Sequence, residues 1–220
     1  MASRSTDSLD DESSMMTDLI SEQNLRHAIS FSHRWERGFE DYFDTARTRR
    51  IIDALTAFHS FEVEVSLEHY GSGLASYRDI FLYHPDRIVE ELQDSGNFSN
   101  LEVPGITLYV CELYPVAIWS GTTSYRTVRR PKEGRDVATI HSHTPFLSPQ
   151  ALLQPPPGDW SSIQTAIEAV LEANRVTVLS STDLNRPLPF KTEIGTLLPS
   201  STEDRDESLM VFDALFYWED

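Results

Sequence analysis

Residues 106–119, ITLYVCELYPVAIW, decide the fold. Apolar side chains fill both the odd and the even positions of this run. A strand sends successive side chains to opposite faces, so a run that is apolar on both belongs deep in a sheet covered on either side. Pro115 has no N–H to give a central ladder, which predicts a bulge or break at that point.

Upstream, FEVEVSL (61–67) alternates Phe61, Val63, Val65 and Leu67 with Glu62, Glu64 and Ser66, the period of a strand with one wet face. YRDIFLY (77–83) reads as its neighbour across a turn around Tyr70, Gly71, Ser72 and Gly73. PDRIVEELQDSG (85–96) reads as a short helix, with Pro85 in its first turn and Gly96 just past its end. From 17 to 58 the period is helical: Phe39, Tyr42, Phe43, Ala46, Leu55 and Phe58 recur at three- and four-residue steps. Gly38 separates this helix from an earlier one over 19–35.

Downstream, SYRTVRR (124–130) and DVATIHS (136–142) continue as strands. A proline-rich loop over 144–158 ends in Pro155, Pro156, Pro157 and Gly158. Asp159 then stands where it would cap a helix that turns Trp160, Ile163, Ile167, Val170 and Leu171 inward. RVTVLSS (175–181) is expected as a strand, TEDRDES (202–208) as a solvated loop, and LMVFDALFYWED (209–220) as a closing two-faced strand. Residues 1–16, rich in Ser and Asp, are expected to be a disordered acidic tail. The expected whole is one α+β domain over 17–220, with a helical part over 17–58 and a sheet-containing part over 59–220. N-terminal helices would pack on a mostly antiparallel or mixed sheet, with one late helix crossing back between strands.

Eighteen basic against thirty-five acidic residues leave a net charge of −17. Such a surface repels phosphates, which excludes nucleic acid as an expected partner, and it favours fast capture of a basic protein. No apolar run approaches the roughly 18–20 residues of a membrane span. The opening MASRSTDSLDDESS lacks the basic start and apolar stretch of a secretory signal, so a cytoplasmic location is expected. The single cysteine, Cys111, permits no intrachain disulfide and reads as a small buried hydrophobe.

Two constellations bear on function. His141 and His143 lie two apart in a predicted strand, so both point to one side, within reach of one metal ion. Followed by a proline-containing loop and Asp159, the pair resembles the JAMM metalloprotease motif. That resemblance implies a zinc-dependent hydrolase with His141, His143 and Asp159 as ligands and Glu112 or Glu68 as the base. Thr144 stands where the family has proline, and Pro156 where it has serine. A polar strand end without metal is the competing reading of the same histidines.

The second constellation is acidic. Glu203, Asp204, Asp206 and Glu207 form a run, and Glu219 and Asp220 end the given sequence beside Trp218. A solvated loop and a docking face for a basic protein both fit this pattern. LPFKTEIGTLLP from Leu188, followed by LMVFDALFYWED, resembles the closing segment of bacterial polymorphic-toxin immunity proteins. The resemblance implies an acidic bacterial binding protein, without catalytic residues or cofactor, that neutralises a cognate toxin by protein–protein contact. Glu203, Asp204, Asp206, Glu207, Trp218, Glu219 and Asp220 would then touch the partner. The immunity reading leads, and the zinc hydrolase is the alternative.

Overall fold

The computed structural model describes residues 20–31, 44–65, 74–92, 98–129, 138–145, 147, 152–192, 209–216 and 218–219. Helices α1 (Glu22–Phe31) and α2 (Thr45–Thr56) come first, followed by β1 (Glu62–Val65), β2 (Leu74–Ala75) and β3 (Tyr77–Tyr83). A 3-10 turn at Pro85–Arg87 leads into β4 (Val89–Leu92), then β5 (Phe98–Cys111), β6 (Val116–Arg129) and β7 (Ala138–His143). Helix α3 (Ser161–Ala173), β8 (Thr177–Val178), α4 (Ser181–Leu184), α5 (Val211–Leu215) and β9 (Trp218–Glu219) complete the order. Among the described residues, seven strands form one sheet in the order β1-β3-β5-β6-β7, with β4 added to β5 and β8 to β6. Every pairing in it is antiparallel except β6 with β8, which α3 makes possible by carrying the chain back. The fold is therefore α+β with a mostly antiparallel sheet and one late crossover helix.

The axis of the molecule is the β5–β6 hairpin, paired from Phe98↔Arg129 to Val110↔Ala117. It reverses through residues 112–115, so Pro115 falls at the break its missing N–H predicts. The two-faced apolar pattern has a direct cause. On one face Tyr77, Tyr109, Cys111, Val116 and Ile118 pack with Leu25 and Ile29 of α1 and with α5. On the other, Ile80, Leu82, Leu108, Val110, Ala117 and Trp119 pack with Ile51 and Leu55 of α2 and Ile163, Ile167 and Leu171 of α3. Alternation at period two divides one apolar run between two cores.

Arg47 ties α2 to the tip of the hairpin. It is buried, its Nη2 donates to the carbonyls of Cys111 and Tyr114 at 3.2 and 3.1 Å, and its Nη1 pairs with Asp44 at 3.2 Å. Asp44 also caps the helix, accepting the Arg47 N–H at 2.8 Å.

Three expectations are corrected. Residues 85–96 are not a helix: the chain makes one 3-10 turn and then β4, which pairs with Ser99–Glu102 of β5. β3 pairs with β5 only from Gly105 onward, so the rest of β5 offers an open edge, and ladder hydrogen bonds there outweigh a weak helix preference. Residues 209–220 are not one strand either. Val211 and Leu215, and Phe212 and Phe216, are four apart, so a helix brings all four into the core where a strand would turn half of them away. Asp213 fixes the start by accepting the Met210 N–H at 2.7 Å. Of 175–181 only Thr177 and Val178 are strand, because the capping box between Ser180 and Asp183 starts α4 at once. The expected acidic tail, residues 1–16, lies outside the described residues.

Candidate functional site

The hairpin outruns its helical cover. Beyond Ile106 and Trp119 the strands continue as a four-stranded wing, β4-β5-β6-β7, that no described helix covers. Registers place its side chains in rows across one face. Val89 stands opposite Glu102, Glu102 opposite Tyr125, and Tyr125 opposite His143. The next row runs Glu91, Asn100, Thr127 and His141. These eight residues, with Leu101 and Arg126, line a groove of about 710 Å³. Val89 is 59% and Tyr125 48% exposed, and Glu91, Glu102, His141 and His143 are exposed as well.

A second groove, of about 470 Å³, adjoins the first and shares Tyr125 with it. Its floor is Ser120–Thr123 of β6, and its wall is the loop Gln154–Pro157 with Pro145 and Leu147. Gly121 lets that loop close on the strand. A Cβ there would lie 2.5 Å from Pro156 N and 2.8 Å from Gln154 O. The Gly121 N–H donates to Gln154 O at 2.6 Å and the Leu153 N–H to Trp119 O at 2.9 Å.

The opposite face of the wing holds a charge pair. Arg126 donates through both Nη atoms to Glu64 on β1, at 2.9 and 2.8 Å, and its guanidinium lies 5.1 Å from the centre of the Tyr83 ring. The Tyr83 hydroxyl donates to Glu64 at 3.0 Å, and burial together with that carboxylate raises its pKa. Arg126 also lines the groove, but its guanidinium is ion-paired with Glu64.

His141 and His143 fall on one face, as their spacing predicts, but Asp159 serves elsewhere. Its Oδ1 accepts from the Ser161 N–H at 3.0 Å and the Ser161 hydroxyl at 2.7 Å, at the start of α3. The Ser161 hydroxyl and N–H hold its carboxyl below the usual range. Glu112 is ion-paired with Arg78 and does not line the groove. Among the described residues no three His, Cys, Asp or Glu side chains are grouped to hold a metal ion. The spacing explains this for the groove: Glu102 is two strands from His143, about 10 Å, with Tyr125 between them. Glu68, Glu203, Asp204, Asp206, Glu207 and Asp220 lie outside the described residues. Trp218 and Glu219 form β9, whose backbone pairs with Ala75 and Leu74.

Sequence reading missed Val89, Glu91, Asn100, Glu102 and Tyr125 as neighbours of the histidines. Alternation of Tyr125 and Thr127 against the histidine pair was the available signal, and reading 85–96 as a helix concealed Val89 and Glu91.

No family model, no curated protein and no solved structure matches this chain. No described helix is long and apolar enough to cross a membrane.

Proposed function

We propose that this chain is an inhibitor-type binding protein of the toxin-immunity kind, which neutralises a basic toxin domain in the bacterial cytoplasm by protein–protein contact. The observation that carries the reading is the wing face. It is a broad exposed sheet surface with an aromatic residue at its centre and two carboxylates beside it. Such a face suits protein contact, since aromatic anchors ringed by polar groups supply most binding energy at protein interfaces. The charge of −17 supports it further, because long-range fields speed the encounter with a cationic partner.

The test is co-expression with the toxin domain encoded beside this gene, with growth scored with and without the inhibitor. Rescue of growth, together with a stable one-to-one complex on size exclusion, is the expected result. Equal killing in both cultures refutes the proposal.

A further inference from the structure

We infer that the two grooves flanking Tyr125 act as one trough, and that it receives an extended polypeptide segment of the partner bearing arginine or lysine. The inference rests on the protein-binding reading above and adds the place and chemistry of contact.

Shape comes first. Residues 120–127 of β6 run along both grooves, and eight residues of strand span about 26 Å. A trough of that length matches seven or eight residues of extended chain. One wall is Pro155–Pro157, which has no N–H groups to satisfy and loses little freedom when a ligand packs against it. Tyr125 stands where the grooves meet, offering its ring to whatever lies across both.

Charge selects the occupant. Glu91 and Glu102 are exposed on this face, and Arg126, the one arginine among the described residues that line the groove, is already paired bidentately with Glu64. His141 and His143 border the carboxylates, and Arg129 stands at the tip of the wing opposite Phe98. Guanidinium groups suit both features present: they bind carboxylates bidentately and lie flat on aromatic rings. Phosphate-bearing ligands meet the two carboxylates and are repelled.

The test is an NMR titration of the full ¹⁵N-labelled chain with an eight-residue peptide in which arginine alternates with leucine. A peptide with glutamate in place of arginine is the control. The expected result is saturable shifts at Thr123, Tyr125, Thr127, His141 and His143 with the arginine peptide alone. Affinity should fall at least tenfold in the E91Q/E102Q/Y125A variant, whose denaturation midpoint is checked against the parent. Shifts centred on α1 and α5, equal binding by the variant, or no binding overturn the trough assignment. Those outcomes are separable from the function itself, because growth rescue by the intact protein is scored independently. Rescue without peptide binding removes the trough alone, whereas peptide binding without rescue removes the immunity reading alone.

Discussion

Arg78 and Glu112 form an ion pair inside the fold. Arg78 Nη2 lies 3.1 Å from Glu112 Oε1, and the side chains are 20% and 1% exposed. Glu112 is also a backbone junction: its N–H donates to Ser76 O at 2.8 Å and its carbonyl accepts the Asp44 N–H at 2.9 Å. One residue thereby joins the end of β5, the start of β3 and the cap of α2.

Glu112→Ala should cost about 3–5 kcal/mol, because it leaves a partly buried guanidinium without its counter-charge. The paired replacement Arg78→Met/Glu112→Leu should cost far less. Urea unfolding of the three proteins decides it. Equal losses in the single and double variants would show that the charge pair is not what Glu112 supplies.

Gly105 marks where β3 gives way to β4 along β5. A Cβ there would lie 2.5 Å from Phe81 Cζ and 2.6 Å from the Leu82 carbonyl oxygen. Gly105→Ala should destabilise by about 1–3 kcal/mol. Adding Phe81→Leu should not restore stability, since the backbone carbonyl remains in place. Full recovery in that double variant would contradict this packing.

Phe216, 1% exposed, sits against Tyr77 at 6.1 Å and Phe212 at 5.7 Å between ring centres. Phe216→Ala should cost about 3–5 kcal/mol, the usual loss for a large aromatic removed from a core. An unchanged denaturant midpoint would place the ring at the surface.

Alkali should loosen the fold in a defined window. Burial raises the Cys111 thiol from an ordinary value of 9.0 to about 11, and raises Tyr114 from 10.0 to about 12. Both groups are neutral when protonated, so the folded state holds these protons more tightly and the unfolded chain ionises first. Their contribution is complete below pH 9 and is lost as pH rises toward 12. Unfolding midpoints should accordingly fall as pH rises from 9 toward 12. A thiol reagent at pH 8 should modify Cys111 only once denaturant is added. A flat midpoint, or rapid modification of the native protein, would argue against this burial.

His141→Ala/His143→Ala should change stability by no more than about 0.5 kcal/mol, because both side chains are exposed on the wing. A chelator should leave the midpoint where it was. One equivalent of zinc in the purified protein, lost in the double variant, would reinstate the hydrolase alternative.

Much of this architecture is a local property of the chain. Alternation placed FEVEVSL and YRDIFLY in adjacent strands, and the observed register is Glu62↔Tyr83 through Val65↔Ile80. The two-faced run over 106–119 required cover on both sides, and two cores supply it. The helix over Ser161–Ala173 follows from the spacing of Ile163, Ile167, Val170 and Leu171. These signals survive without tertiary context because period two and period 3.6 are consequences of backbone geometry.

Other features depended on where distant residues meet. Val89–Leu92 became a strand because β5 had an edge left over, and Val211–Leu215 became a helix because two pairs of side chains shared one core. The grouping of Glu91, Glu102 and Tyr125 with His141 and His143 depends on three inter-strand registers, each of which moves every side chain to the other face if it slips by one residue. Asp159 likewise had two competing uses in sequence, metal ligand or helix start, and its hydrogen bonds to Ser161 place it at the helix. Periodicity tells which side chains share a face; only the packed sheet decides which faces are covered and which carboxylates end up beside which imidazoles.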